Sequence, residues 1–191
     1  IFNAFHGIIK KNEGDIMDYT ELFYKLGAIQ KGHFIRSSGR HTDIYVQCAR
    51  LFENPSTGAM VAKGLAENFV GEPIDIVMSA AIGGMLIGYE VARALDKPFI
   101  YCERQDGAMV IKRGFKIPEN ANVLLIEDEI TTGTSVREMM EILRALGASC
   151  VAVACIIDKS NEKLNFGVPK FSLAKVEVQN WRSSDCPMCK E

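Results

Sequence analysis

The sequence predicts an α/β domain with a mostly parallel central sheet flanked by helices. Short apolar runs recur along the chain with segments of helical period between them, the alternation that joins parallel strands through helical crossovers. Glycine, proline and Asn/Asp residues stand at the joints, where turns are made. The apolar run at 123–126 passes through an acidic cluster and a hydroxyl-rich glycine turn into another helical pattern. That puts a polar loop outside the carboxyl end of a strand, the ligand-binding position of open α/β sheets.

Each element has its own signal. Leu22, Phe23, Leu26 and Ile29 predict an amphipathic helix within 18–30, ended near Gly27 or Gly32. Residues 34–40 and 44–46 read as short strands around a polar turn. Asn54-Pro55 supplies a cap and a first-turn proline for a helix over 56–69. Residues 74–78 form a buried strand, followed by the small-residue loop Ser79-Ala80-Ala81-Ile82-Gly83-Gly84 and a helix to about Leu95, stopped by Asp96-Lys97-Pro98. A strand over 99–102 precedes a glycine-flanked basic segment, 103–116, that reads as a hairpin. A strand over 123–126, a helix over 136–146 with apolar residues at 136, 139, 140, 143 and 146 and Gly147 as terminator, and a strand over 151–157 complete the alternation. There is no internal repeat or linker, so residues 18–191 read as a single domain. Residues 1–17 read as an N-terminal extension, with Met17 as a candidate start.

Composition narrows the class. At 191 residues, 48% hydrophobic and 24% charged, the chain can build a real core. A net charge of −2 gives no global attraction to nucleic acid or to an anionic membrane surface. No apolar run approaches the roughly 18 residues of a membrane span, and residues 2–9 are too short and interrupted for a signal peptide. Six cysteines without secretory features indicate reduced thiols and a cytoplasmic location. Cys102, Cys150 and Cys155 lie in or beside apolar runs and serve as small hydrophobes. Cys186 and Cys189 form Cys-Pro-Met-Cys, half of a zinc-ligand set without the context of a redox motif, and are read as free thiols in preference to metal ligands. His33 and His41 are read as structural or surface residues.

The chemistry is concentrated in Glu127-Asp128-Glu129-Ile130-Thr131-Thr132-Gly133-Thr134-Ser135. A helix start offers unpaired N–H groups and the positive end of a dipole, so residues 131–135 can hold a phosphate with main-chain donors and hydroxyls. Gly133 permits close approach. Carboxylates just before that cradle would repel a phosphate placed on them; they suit sugar hydroxyls or a hydrated divalent cation. The implied ligand is a phosphorylated ribose. Neither G-x-x-x-x-G-K-[ST] nor a strand-borne G-x-G-x-x-G is present. The string resembles the ribose-phosphate signature of type I phosphoribosyltransferases, with Glu129 in place of the usual apolar residue. That resemblance implies the family's fold, with a small N-terminal hood. It also implies that Ala81, Ile82, Gly83 and Gly84 seat the pyrophosphate of phosphoribosyl pyrophosphate (PRPP), whose remainder is held by residues 127–135.

A second resemblance points to the base. Gly32-His33-Phe34-Ile35-Arg36-Ser37-Ser38-Gly39-Arg40 and the strand after it resemble the hood of orotate phosphoribosyltransferases. The likeness continues through residues 80–84, Arg113-Gly114-Phe115, the acidic string and Phe166-Gly167-Val168-Pro169. It implies magnesium-dependent transfer from PRPP to orotate, Mg2+ being held mainly through PRPP, in a cytoplasmic homodimer that acts on small molecules. The hood would comprise about residues 30–50 with the C-terminal segment. Glu127 and Asp128 would orient the ribose hydroxyls; Arg104, Lys112 or Arg113 would meet the leaving group. Thr131, Lys159 and Phe34 would hold orotate, with Lys159 standing where the family commonly has arginine. Ser37 replaces a frequent hood lysine, and the lysine-rich loop ending in His-Gly is absent. The alternatives are transfer to another nucleobase, which the hood disfavours, and a PRPP-binding regulator without catalysis.

Overall fold

The computed structural model describes residues 17–160 and 164–190; the expected extension lies, apart from Met17, outside them. Helix α1 (Tyr19–Lys25) is capped by Asp18, whose carboxylate accepts from the Glu21 N–H at 3.1 Å. It ends at the earlier of the two stops the sequence offers, Gly27. Gly27 turns the chain at φ +71°, and Ile29 is buried as the first residue of β1 (Ile29–Ile35). Strand β2 (His41–Val46) pairs antiparallel with β1 and, on its other side, with the two-residue β9 (Asn180–Trp181), giving a three-stranded hood sheet. Arg36 Nη1 donates to Asn180 Oδ1 at 3.0 Å and Arg40 Nη2 to the Asn180 carbonyl at 2.9 Å, fastening the tail to the turn between β1 and β2.

The main sheet has six strands in the order β5-β4-β3-β6-β7-β8. Strands β3 (Ile76–Ala80), β4 (Phe99–Gln105), β6 (Asn122–Ile130), β7 (Ser149–Asp158) and β8 (Lys170–Lys175) run parallel, and β5 (Ala108–Ile111) returns antiparallel from β4 at one edge. The half-exposed β8 lies beyond the elements the sequence predicts. Helices α2 (Pro55–Ala66) and α3 (Gly83–Leu95) cover one face and α4 (Thr134–Ala145) the other. The two-residue period of the strands distributes the core. Leu124 and Ile126 of β6 join Val61, Leu65, Ile87 and Val91 on one side, while Val123 and Leu125 join Val136, Met139 and Leu143 on the other. No helix among the described residues is long and apolar enough to cross a membrane.

Sheet order fixes where a ligand can sit. From β3 the chain moves outward to β4, whereas from β6 it moves the other way to β7 and β8. The order therefore reverses between the adjacent parallel strands β3 and β6. The loops at their carboxyl ends, 81–82 and 131–133, flank one crevice, the expected ligand position in such sheets.

Candidate active site

Strand β6 runs on through the acidic residues, where the sequence predicts a loop. Pairing with β7 continues at Glu129↔Ile157 and Ile130↔Asp158, so the three carboxylates are mounted on strand backbone. Glu127 is 6% exposed; Asp128 and Glu129 are half-buried. Burial, with the adjacent Asp128 and Glu129 charges, pushes the Glu127 carboxyl up to about 8. Burial also raises Asp128, and the Glu129 charge adds to that; backbone hydrogen bonds and Lys159 oppose it. A cluster this crowded with negative charge calls for hydroxyl donors or a cation.

The loop after β3 lies against these acids. A Cβ on Gly83 would fall 2.5 Å from Asp128 Oδ2, and one on Gly84 would fall 3.2 Å from Glu127 Oε2. Only glycine lets α3 begin this close to the carboxylates, so the positive end of its dipole faces the crevice. The Ala81-Ile82 peptide is cis, and the Ile82 side chain is 85% exposed. Gly83→Ala is expected to leave the protein folded, with a loss of no more than about 1–3 kcal/mol, because a short carboxylate can swing aside. Swinging it aside removes Asp128 from its position, so turnover should fall far more than thermal stability. Melting curves beside initial rates check this; rate and stability falling only in proportion would count against it.

On the other side of the crevice, Gly133 at φ +74° caps α4. Thr134 and Ser135, expected in the loop, form the first turn of that helix. A Cβ on Gly133 would lie 2.8 Å from Phe166 Cζ, so backbone conformation and space both require glycine. Thr132 Oγ1 and Thr134 Oγ1 are 2.9 Å apart. Around them is a cavity of about 70 Å³, bounded by Glu127, Glu129 and residues 130–136, with the unpaired N–H groups of α4 at its floor. The helix N-terminus and the hydroxyls suit a phosphate.

A larger cleft of about 640 Å³ lies between this cradle and the hood, and shares Glu129, Thr131 and Thr132 with it. Phe34, Thr131 and Lys159, which come from three distant segments, all line it. Phe34 packs on Tyr45 with ring centroids 5.5 Å apart, giving the hood an aromatic face. Lys159 is 11% exposed, and its Nζ lies 2.7 Å from Glu129 Oε2. The Lys159 N–H donates to the Ile130 carbonyl at 2.8 Å. The turn around it is held by Asp158, which accepts from the Ser160 N–H and hydroxyl (2.9 and 2.6 Å) and from Lys170 Nζ (2.6 Å). Burial works against the Asp158 carboxylate, but the Lys170 and Ser160 hydrogen bonds outweigh it and hold its pKa below the usual value.

The basic hairpin leaves β4 beside the loop after β3, where the Ala81 N–H donates to the Cys102 carbonyl at 2.7 Å. Arg104, Lys112 and Arg113 line neither cavity. Arg104 donates to Glu138 of α4 and to the Gly107 carbonyl at 2.8 Å, and Arg113 is paired with Glu103 at 3.1 Å. Lys112 is exposed and has no ion-pair partner among the described residues. The cleft contains Arg36 from the hood, next to the Ser37 that replaces the family's lysine, and Arg137 from α4, a cation that the sequence does not assign to the site. Arg137 Nη1 donates to the Thr132 carbonyl at 2.9 Å, and its guanidinium lies over Phe166, 5.6 Å from the ring centroid. Its signal was present in the sequence: a basic residue in the second turn of a helix sits near the end that ordinarily favours acids.

Residues 50–183 match the phosphoribosyl transferase domain. Over 171 residues, 90% of each chain, the protein is 44% identical to the orotate phosphoribosyltransferase of Caldanaerobacter subterraneus subsp. tengcongensis. It is 43% identical to the orotate phosphoribosyltransferase of Thermotoga maritima over 171 residues, 90% of this chain and 91% of that one. The crystal structure of orotate phosphoribosyltransferase from Aeropyrum pernix superposes with a TM-score of 0.68 at 26% identity, covering 82% of this chain and 92% of that chain. Likeness at this level over nearly the whole chain makes the protein a member of the phosphoribosyltransferase family, among its orotate phosphoribosyltransferases.

Proposed function

We infer that the protein transfers the phosphoribosyl group of PRPP to orotate, giving orotidine 5′-monophosphate and pyrophosphate in de novo pyrimidine synthesis. The observation that carries this is the adjacency of the two cavities: a cleft under an aromatic hood shares Glu129, Thr131 and Thr132 with a phosphate-sized cradle. Glu127 and Glu129 lie at the cradle's edge, with Asp128 between them on β6. On this reading, residues 131–135 hold the 5′-phosphate, Glu127 and Asp128 accept hydrogen bonds from the ribose hydroxyls, and residues 81–84 seat the pyrophosphate. Orotate lies between Phe34 and Lys159, with its carboxylate toward the lysine.

In the reaction the bond from orotate N1 to the anomeric carbon forms, the bond from that carbon to pyrophosphate breaks, and the N1 proton leaves. Catalysis then rests on positioning and on electrostatics. On this reading the two carboxylates supply the negative charge that an oxocarbenium-like sugar would need. Carboxylates and threonine hydroxyls are hard oxygen donors that suit Mg2+, and Mg2+ carried mainly by PRPP would neutralise the phosphates there. Lys112 is the hairpin cation left to meet the leaving group, and in a cytoplasmic homodimer the hairpin would serve the neighbouring copy's site. The direct test mixes purified protein with Mg2+, PRPP and orotate and follows loss of orotate absorbance beside uracil, adenine and hypoxanthine. Orotate alone should be consumed; turnover of another base without orotate would overturn the reading.

A further inference from the structure

Behind the hood, on residues the reaction does not use, four soft ligands converge. His33 on β1, His41 on β2, and Cys186 and Cys189 of the tail place one ligand atom each within 4.8 Å of all the others. His33 Nε2 lies 2.8 Å from His41 Nδ1, 3.5 Å from Cys186 Sγ and 3.6 Å from Cys189 Sγ. Cys189 Sγ lies 3.2 Å from His41 Nδ1. A zinc ion with bonds of about 2.0–2.1 Å to nitrogen and about 2.3 Å to sulfur has tetrahedral edges of roughly 3.3–3.8 Å, close to this spacing. Hydrogen bonding alone accounts for the cluster poorly. The Nε2 of His33 carries at most one proton yet faces three acceptors or weak donors, and among the described residues no carboxylate, lysine or arginine bonds to any of the four ligand atoms.

We propose that His33, His41, Cys186 and Cys189 form a closed tetrahedral zinc site that clamps the C-terminal tail to the hood. Two thiolates and two imidazoles match zinc in softness and geometry. With four protein ligands no position remains open for water or substrate, which makes the site structural. Binding replaces the two thiol protons, which pass to solvent. The site has a clear mechanical consequence. His33 immediately precedes Phe34 and His41 immediately precedes Thr42, both of which line the base cleft. Trp181, just before the ligand-bearing tail, pairs with His41 in the sheet. The metal therefore fixes the strands that roof the cleft without entering it.

The experiment measures metal, so it is independent of orotate turnover. Protein purified without chelator or affinity metal should contain one zinc per chain, which a chromophoric chelator captures when a thiol-blocking mercurial releases it. Exchange with Co2+ should give the intense visible bands and sulfur charge-transfer absorption of a tetrahedral two-thiolate site. Cys189→Ser, the exposed ligand, and the pair Cys186→Ser with Cys189→Ser should lose the metal, with a lower melting temperature that added zinc no longer raises. Folded, reduced wild-type protein that contains no zinc and takes up neither added zinc nor cobalt would overturn the proposal. So would a Cys186–Cys189 disulfide that persists in reductant, or variants that retain full stoichiometry.

Discussion

Glu127→Gln is expected to reduce orotate turnover by about two orders of magnitude and, in the same protein, to raise thermal stability at alkaline pH. The first effect follows from losing the charged acceptor proposed for the ribose hydroxyls; hydrogen bonds to charged groups contribute about 1.5–3 kcal/mol, or roughly 10- to 150-fold. The second follows from linkage. Glu127 is buried beside two more carboxylates, and its pKa is pushed up from 4.5 to about 8. Below pH 4.5 both folded and unfolded chains hold the proton, so the group contributes nothing. Between 4.5 and about 8 the folded chain retains a proton that the unfolded chain has released, so stability falls as pH rises. Above about 8 the full penalty is present. Glutamine never ionises, so the gap in melting temperature between variant and parent should open from pH 5 to pH 8.5 in ligand-free protein. For the parent, kcat/KM should climb with pH to about 8 as Glu127 ionises, and the variant should lack that limb. A constant melting-temperature gap would sink the linkage argument, and unchanged turnover would remove the catalytic role. Asp128→Asn should match the loss in turnover while leaving the fold intact.

The same carboxylates explain what the sequence made legible. The acid-hydroxyl string is contiguous, and its chemistry could be read without tertiary information. Its secondary structure could not, since three acids in a row mimic a loop until pairing with β7 carries the strand to Ile130. Ile29 fits the helical spacing, yet Gly27, one of the two predicted stops, turns the chain before it. The helices over the sheet were legible because apolar period and turn residues agreed, as at Asn54-Pro55, where the Asn54 side chain accepts from the Ser56 N–H at 2.9 Å. Strand β8, half-exposed at an edge, carried too little apolar signal. The sites that were missed share one property, assembly from distant segments. Cys-Pro-Met-Cys looked like half a zinc site because its other half lies on a hairpin some 150 residues earlier, with Cys189 and His41 148 positions apart. In the same way, Arg137 of α4 joins Arg36 of the hood only as part of the lining of one cleft.

Lys159→Ala tests the base end of the cleft. Lys159 is not a free cation. It is almost buried, its backbone is tied to Ile130, and its ammonium lies 2.7 Å from Glu129, which itself faces both cavities. Removing the lysine therefore does two things: it deletes the partner proposed for the orotate carboxylate, and it leaves an uncompensated Glu129 charge facing the cleft. Both weaken binding of an anionic base, and the charge-assisted contact alone is worth about 1.5–3 kcal/mol. The KM for orotate should rise about 10- to 100-fold, while the KM for PRPP, whose phosphates we propose are held by residues 131–135 and 81–84, should change much less. The two causes separate in a double-mutant cycle. If repulsion by Glu129 contributes, adding Glu129→Gln to Lys159→Ala should restore part of the orotate affinity, whereas Glu129→Gln alone should free the lysine and leave orotate binding intact or tighter. Lys159→Arg should retain binding, since a guanidinium can fork between two carboxylates. An equal rise in both KM values for Lys159→Ala would mean that the lysine only props the end of β7, and the carboxylate of the base would then have to be sought at Arg36 or Arg137.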